Sequence, residues 1–184
     1  MNLANRITLS RIVLVPLFIA SLLYYSPERP YLGGVAAILF LTACISDALD
    51  GWLARRRNET TELGSYIDPI ADKLLLLSGF LCLSWMPHLP DEMRVPAWAT
   101  ISVISRDFLI VTGSIIIFFT TGSLKPRPIF IGKLTTVVQM ATLLAALLMA
   151  PENLRLALDY STIFFTIWSG ALYVRMGGMV LKET

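Results

Sequence analysis

Four aspartates, Asp47, Asp50, Asp68 and Asp72, stand within the stretch SDALDGWLARRRNETTELGSYIDPIADK of a chain that is otherwise mostly apolar. Asp47 and Asp50 are three residues apart and Asp68 and Asp72 four apart, so on helices each pair occupies one face. Four negative charges gathered in a partly desolvated place repel one another, and without cations some would take up protons. Oxygen-only donors with no His or Cys among them suit a hard divalent ion, Mg²⁺ or Mn²⁺, rather than Zn²⁺. The alternative is an acidic helix end that is solvated or paired with Arg55–Arg57 and Lys73. That alternative explains a lone aspartate, whereas four at helical spacings beside apolar runs read as a functional site.

The elements that must carry them are apolar. Of the 184 residues 55% are hydrophobic and 15% charged, and the mean hydropathy is +0.68; soluble domains carry about 25% charged residues. Six apolar segments run roughly over 7–25, 31–54, 66–85, 95–121, 132–150 and 157–174, each close to the ~20 residues that a helix needs to cross ~30 Å of hydrocarbon. Proline-bearing breaks, SPERP, PHLPDEM, KPRP and APEN, punctuate them. Tyr24, Tyr25, Tyr31, Trp85 and Trp98 stand near their ends, as interfacial aromatic residues do. The expectation is an all-α, six-transmembrane-helix bundle forming a single domain over 1–184, with an active-site cavity facing the cytoplasm. The first segment follows Arg6 and Arg11 but has no A-x-A-like cleavage site, so it is expected to be retained as a span.

An even number of spans puts both termini on one side. That side receives ten Lys and Arg residues, among them Arg6, Arg11, Arg55–Arg57, Lys125 and Arg127, against Arg29, Arg94 and Arg155 on the other. The crowded side is therefore expected to be cytoplasmic. The link from Arg55 to Gly64 is short enough to make the second and third helices antiparallel neighbours, bringing all four aspartates to one depth. Cys44 and Cys82 lie in apolar sequence as small buried thiols, and His88, the only histidine, falls in the opposite loop as a plain surface residue. No nucleic-acid partner is expected.

The spacing Asp47-x2-Asp50-Gly51-x2-Ala54-Arg55-x8-Gly64-x3-Asp68-x3-Asp72 fixes eight positions over 26 residues and resembles the signature of the CDP-alcohol phosphatidyltransferases. NLANRITLSRIVLVPLF at the start and IGKLTTVVQM later resemble the bacterial phosphatidylglycerophosphate synthases and the related cardiolipin synthases. The resemblance implies transfer of a phosphatidyl group from CDP-diacylglycerol to an alcohol, with release of CMP. It implies that Asp47, Asp50, Asp68 and Asp72 hold two divalent ions, ~3.5–4 Å apart, against the pyrophosphate, and that Asp72 is also the catalytic base. Gly51 and Ala54 either let the nucleotide approach or simply allow close helix packing. Arg55 would contact the CDP group or else anchor the cytoplasmic side, and Gly64 would start the third helix without obstructing the ligand. A homodimer is implied by the resemblance alone.

Arg106 and Asp107 form a second polar island, inside the fourth apolar segment. They either neutralise each other, or Arg106 faces the cavity and binds an acceptor phosphate, with Lys133 as its partner and Lys125, Arg127 and Arg175 as weaker candidates. These basic residues could equally meet anionic lipid headgroups. In the branch that uses glycerol 3-phosphate, the fourth span often reads REF…TGLR, and here RDFLIVTGSI keeps Arg106 and the TG but lacks the later Arg. SRD with LKPRPIFIGKLTTVVQM looks somewhat like the branch that uses phosphatidylglycerol. Glycerol 3-phosphate is the leading acceptor, with phosphatidylglycerol as the alternative. A small cation-coupled transporter would place its acids near the bilayer midplane rather than at one edge, and an inactive structural subunit would not need all four aspartates.

Overall fold

The computed structural model describes residues 3–57, 62–121 and 130–182, with side chains described for 13–46, 73–117, 119–120 and 130–179. Six α-helices follow one another: α1 (Leu3–Leu23), α2 (Tyr31–Arg57), α3 (Glu62–Trp85), α4 (Ala97–Thr121), α5 (Phe130–Leu147) and α6 (Glu152–Lys182). A short 3-10 turn, Asp91–Met93, precedes α4, and no strand occurs among the described residues. Each expected apolar segment is thus a helix. α1, α2, α3, α5 and α6 each run past an apolar limit at one or both ends because a helix continues where hydropathy stops. α1 also continues through Pro16.

The chain forms two units: 1–94 with 143–150, and 95–142 with 151–184. In the first, α1 packs against both α2 and α3. Phe18 of α1 and Phe40 of α2 meet with ring centroids 5.9 Å apart, and Ala36, Ala37 and Ala43, within one turn of Phe40 along α2, are buried as well. Small side chains at this spacing let helix backbones approach closely. Gly79 of α3 serves the same end, since a Cβ there would lie 2.8 Å from Leu143 Cδ1. In the second unit α4 packs along α6.

The connection after α3 is tied by side chains. The Nε2–H of His88 donates to Leu22 O over 2.9 Å. Arg94 donates from Nη2 to Pro87 O at 2.9 Å and from Nε to Leu89 O at 3.3 Å. His88 is therefore more than a plain surface residue, because it links the end of α1 to this loop. Among the described residues two segments, Asp91–Ile117 and Phe130–Leu147, are long and apolar enough to cross a membrane by length and composition.

The end of α5 departs from the usual residue choice. Met149 N donates to Ala146 O and Ala150 N to Ala145 O, the paired closure that requires a left-handed residue and normally uses Gly. Met149 holds that position at φ 50°. A left-handed L-residue costs about 1–2 kcal/mol, partly offset by the chain entropy that Gly would lose. Met149→Gly should accordingly raise the thermal midpoint by roughly 1–4 °C and Met149→Val should lower it, followed by unfolding of the purified protein in detergent. A lower midpoint for the Gly variant would contradict this view of the turn.

Candidate functional site

α2 runs unbroken through Asp47, Asp50, Gly51, Ala54 and Arg55 to Arg57, and α3 runs from Glu62 through Gly64, Asp68 and Asp72. The spacings are therefore helical spacings, on two helices of one unit. How the four carboxylates meet lies outside the described side chains, as do the groups of Arg55 and the small residues near it. Lys125 and Arg127 also lie outside the described residues. The helices reach closer to each other in sequence than the expected link of 55–64, since α2 ends at Arg57 and α3 begins at Glu62.

The second polar island is described in full. Arg106 leaves α4 with a side chain only 10% exposed, and Asp107 is 31% exposed. Nη1 of Arg106 donates to Asp107 Oδ1 over 2.8 Å. Nη2 donates to Ser169 Oγ of α6 over 2.9 Å. The guanidinium carbon lies 5.6 Å from the centre of the Tyr173 ring, within cation–π range. Nε is buried with no hydrogen-bond partner among the described residues. An isolated buried guanidinium would be prohibitively costly, and a paired carboxylate with further hydrogen bonds offsets most of that cost. Charge compensation by Asp107 is thus real, and it leaves one buried donor unsatisfied.

α5 meets this cluster at a glycine. A Cβ on Gly132 would sit 3.2 Å from Tyr173 Oη and 3.4 Å from Arg106 Nη2. Lys133, the next residue, is exposed, and so is Arg175; neither belongs to the Arg106 cluster described here.

A line of polar contacts between α5 and α6 escaped the sequence reading. Thr142 and Thr162 share a hydrogen bond of 2.8 Å. Gln139 Nε2 donates to Thr166 Oγ1 over 3.3 Å, and Thr135 Oγ1 to Phe165 O over 3.2 Å. All five of these side chains that carry the hydroxyl or amide are buried, at 3% exposure or less. Their spacing, 135–139–142 on α5 and 162–166 on α6, is one face of each helix, and that periodicity was the available signal. Asp159, one turn before Thr162 on α6 and 5% exposed, was likewise not singled out.

The comparisons with known proteins bear on the whole chain. The CDP-alcohol phosphatidyltransferase family model matches residues 1–168. The chain belongs to that family. A relative from Bacillus subtilis strain 168, a "CDP-diacylglycerol--glycerol-3-phosphate 3-phosphatidyltransferase", is 34% identical, with 100% of this chain and 98% of the relative covered. One of the same description from Shigella flexneri serotype 5b is 32% identical over 94% of this chain and 93% of the relative. A "probable phosphatidylglycerophosphate synthase" from Mycobacterium tuberculosis is 42% identical over 58% of this chain, which spans about half (48%) of that relative's length. The family match takes in α2, α3 and Arg106 and ends one residue before Ser169.

The α5–α6 line should behave as a coupled set. Thr142→Val and Thr162→Val should each destabilise the protein, and the double variant should cost less than their sum by on the order of 0.5–1.5 kcal/mol. Denaturation of the four proteins in one detergent measures this, and strictly additive losses would mean that the hydroxyls do not depend on each other.

Proposed function

We propose that the protein transfers the phosphatidyl group of CDP-diacylglycerol to sn-glycerol 3-phosphate, giving phosphatidylglycerophosphate and CMP. The observation that carries this reading is the eight-position signature, seated on α2 and α3, in a chain that aligns along its whole length with a relative named for that reaction.

The donor set fits divalent ions: four carboxylates at helical spacings, with no softer ligand among them. Asp47, Asp50, Asp68 and Asp72 would hold two Mg²⁺ or Mn²⁺ ions, which when bound neutralise the pyrophosphate and the departing CMP. The rest is done by the chain. Gly51 and Ala54 keep one side of α2 free of bulk so that the nucleotide can lie against it, Arg55 meets its phosphates, and Gly64 keeps the start of α3 clear. Asp72 accepts the proton of the acceptor hydroxyl as that oxygen bonds to the phosphatidyl phosphorus. The bond from phosphorus to the CMP oxygen breaks in the same displacement. No covalent enzyme intermediate is needed. Arg106 takes the acceptor's phosphate, supported by its buried, unsatisfied Nε, and Lys133 assists from the adjoining end of α5.

In this reading the chain has six spans with both termini in the cytoplasm, in a bacterial inner membrane, and the order of six helices and the asymmetry of Lys and Arg support it. The acyl chains then stay in the bilayer while the CDP group enters a cytoplasmic cavity. The family match runs through both units, which supports one phosphatidyltransferase domain; a homodimer is part of this reading on family resemblance alone. One observation favours a second acceptor, phosphatidylglycerol, as in cardiolipin synthases: Ile115 stands where the REF…TGLR pattern has its second Arg.

Asp68→Asn should lower glycerol-3-phosphate-dependent CMP release by roughly 100-fold or more while the protein remains folded and membrane-inserted. Chelation should silence the parent protein, and Mg²⁺ or Mn²⁺ should restore it. Near-normal turnover by Asp68→Asn, or full activity in excess chelator, would refute the divalent-ion account.

A further inference from the structure

Of the three nitrogens of the Arg106 guanidinium, Nη1 and Nη2 are engaged by Asp107 and Ser169, and Nε is not. A long, flexible side chain is thereby held in one orientation by groups from two helices. Ser169 is fully buried, so its hydroxyl is the partner that Nη2 has in a place where water cannot readily substitute. Tyr173, one turn further along α6, lies 5.6 Å from the guanidinium carbon. Gly132 lets α5 come close enough that a Cβ there would crowd Tyr173 Oη at 3.2 Å and touch Arg106 Nη2 at 3.4 Å. Gly170 faces the stem of Arg106, where a Cβ would make an ordinary contact 3.8 Å from Cγ.

The helix register points the same way. Thr142 meets Thr162, Gln139 meets Thr166, and Gly132 meets Tyr173. These pairs descend α5 as they climb α6, in steps of three, four or seven residues, as antiparallel neighbours must. The polar line thus accompanies the register that brings Gly132 of α5 opposite Tyr173 of α6. Both residues lie beyond the family match, which ends at 168.

We propose that Ser169, Tyr173 and Gly132 are positioning residues for Arg106, holding its guanidinium so that the Nε–H is kept for the phosphate of the acceptor. The proposal rests on the reading above that Arg106 takes that phosphate. Ser169 acts through Nη2, the Tyr173 ring fixes the guanidinium plane, and the missing side chain at 132 preserves the space that both need. A phosphate drawn to a guanidinium already fixed by its neighbours meets a donor that has little freedom left to lose, which is how preorganisation improves binding.

The test is steady-state kinetics of the purified full chain in detergent with CDP-diacylglycerol and Mg²⁺, varying glycerol 3-phosphate and the lipid donor separately. Arg106→Ala, Ser169→Ala and Tyr173→Leu should each raise the KM for glycerol 3-phosphate by roughly tenfold, the size expected for a lost hydrogen bond to a charged group. The KM for the donor should stay near its parent value and kcat should change far less. Ser169→Thr and Tyr173→Phe, which keep the hydroxyl and the ring, should recover most of the acceptor affinity, and Gly132→Ala should behave like Ser169→Ala. If Arg106→Ala raises the acceptor KM while Ser169→Ala and Tyr173→Leu leave it unchanged, the positioning proposal falls and the function stands. Equal rises in both KM values for the Ser169 and Tyr173 variants would mean general structural damage and would also overturn it. An unchanged acceptor KM in Arg106→Ala removes Arg106 from the acceptor site and the proposal with it. If the parent protein releases no CMP in response to glycerol 3-phosphate, the acceptor reading itself fails, and the proposal falls with it.

Discussion

A buried amide or guanidinium inside an apolar helix has to find its partner beyond its own backbone. Buried hydroxyls that already bond the carbonyl one turn back, as Thr135 does to Ile131 O and Thr142 to Val138 O, add further bonds to the neighbouring helix in the second unit. Burying such a group without a partner costs several times what the hydrogen bond contributes once made. Thr135, Gln139 and Thr142 on α5 and Thr162 and Thr166 on α6 meet that cost between them. Apolar side chains alone would let α6 slide or rotate against α5 with little penalty. Directional bonds do not, and so a single register is preferred. Arg106 is the extreme member of the same class, with a full charge, and it takes Asp107, Ser169 and the face of Tyr173 to hold it.

The first unit is built on a different principle. Here α1 packs against α2 and α3 through Phe18, Phe40 and a set of alanines, with Gly79 close against Leu143. Small residues bring backbones together, and shape rather than polarity specifies the contact. Such packing suits helices whose far ends carry carboxylates, because it fixes their axes without spending polar groups needed for binding. In this unit the polar residues are concentrated along α2 and α3 from Ser46 to Lys73. Residues carried on helices are placed more closely than residues carried on loops.

Much of this could be read from residues alone. Helix ends were legible where Pro and charge interrupt the apolar text: Tyr31, Trp85 and Thr121 are ends on both accounts. α6 was read short because Glu152, Asn153 and Arg155 lower hydropathy without opposing a helix. Hydropathy reports where a chain leaves apolar surroundings, which is a different boundary. The aspartates were legible because their information is local, in spacings of three and four. Arg106 was conspicuous as a charge in apolar sequence, but its partner Ser169 lies 63 residues away, and no local pattern announces such a contact. The Thr and Gln residues of α5 and α6 were passed over because isolated hydroxyls are common in apolar helices, and only the pairing of two periodic faces gives them meaning. His88 is the exposed loop residue expected, but its tie to Leu22 O was not legible, since it is set by tertiary contact.

The central claim is that this chain uses one phosphatidyl donor and a small phosphorylated alcohol as acceptor. It is tested most directly by offering the purified protein CDP-diacylglycerol and Mg²⁺ with glycerol 3-phosphate or phosphatidylglycerol in separate reactions, following both CMP and the lipid product. The account predicts phosphatidylglycerophosphate in the first reaction and no cardiolipin in the second. Cardiolipin from the second reaction with no product in the first would contradict it, and would assign the exposed Ile115 side of α4 to a lipid acceptor.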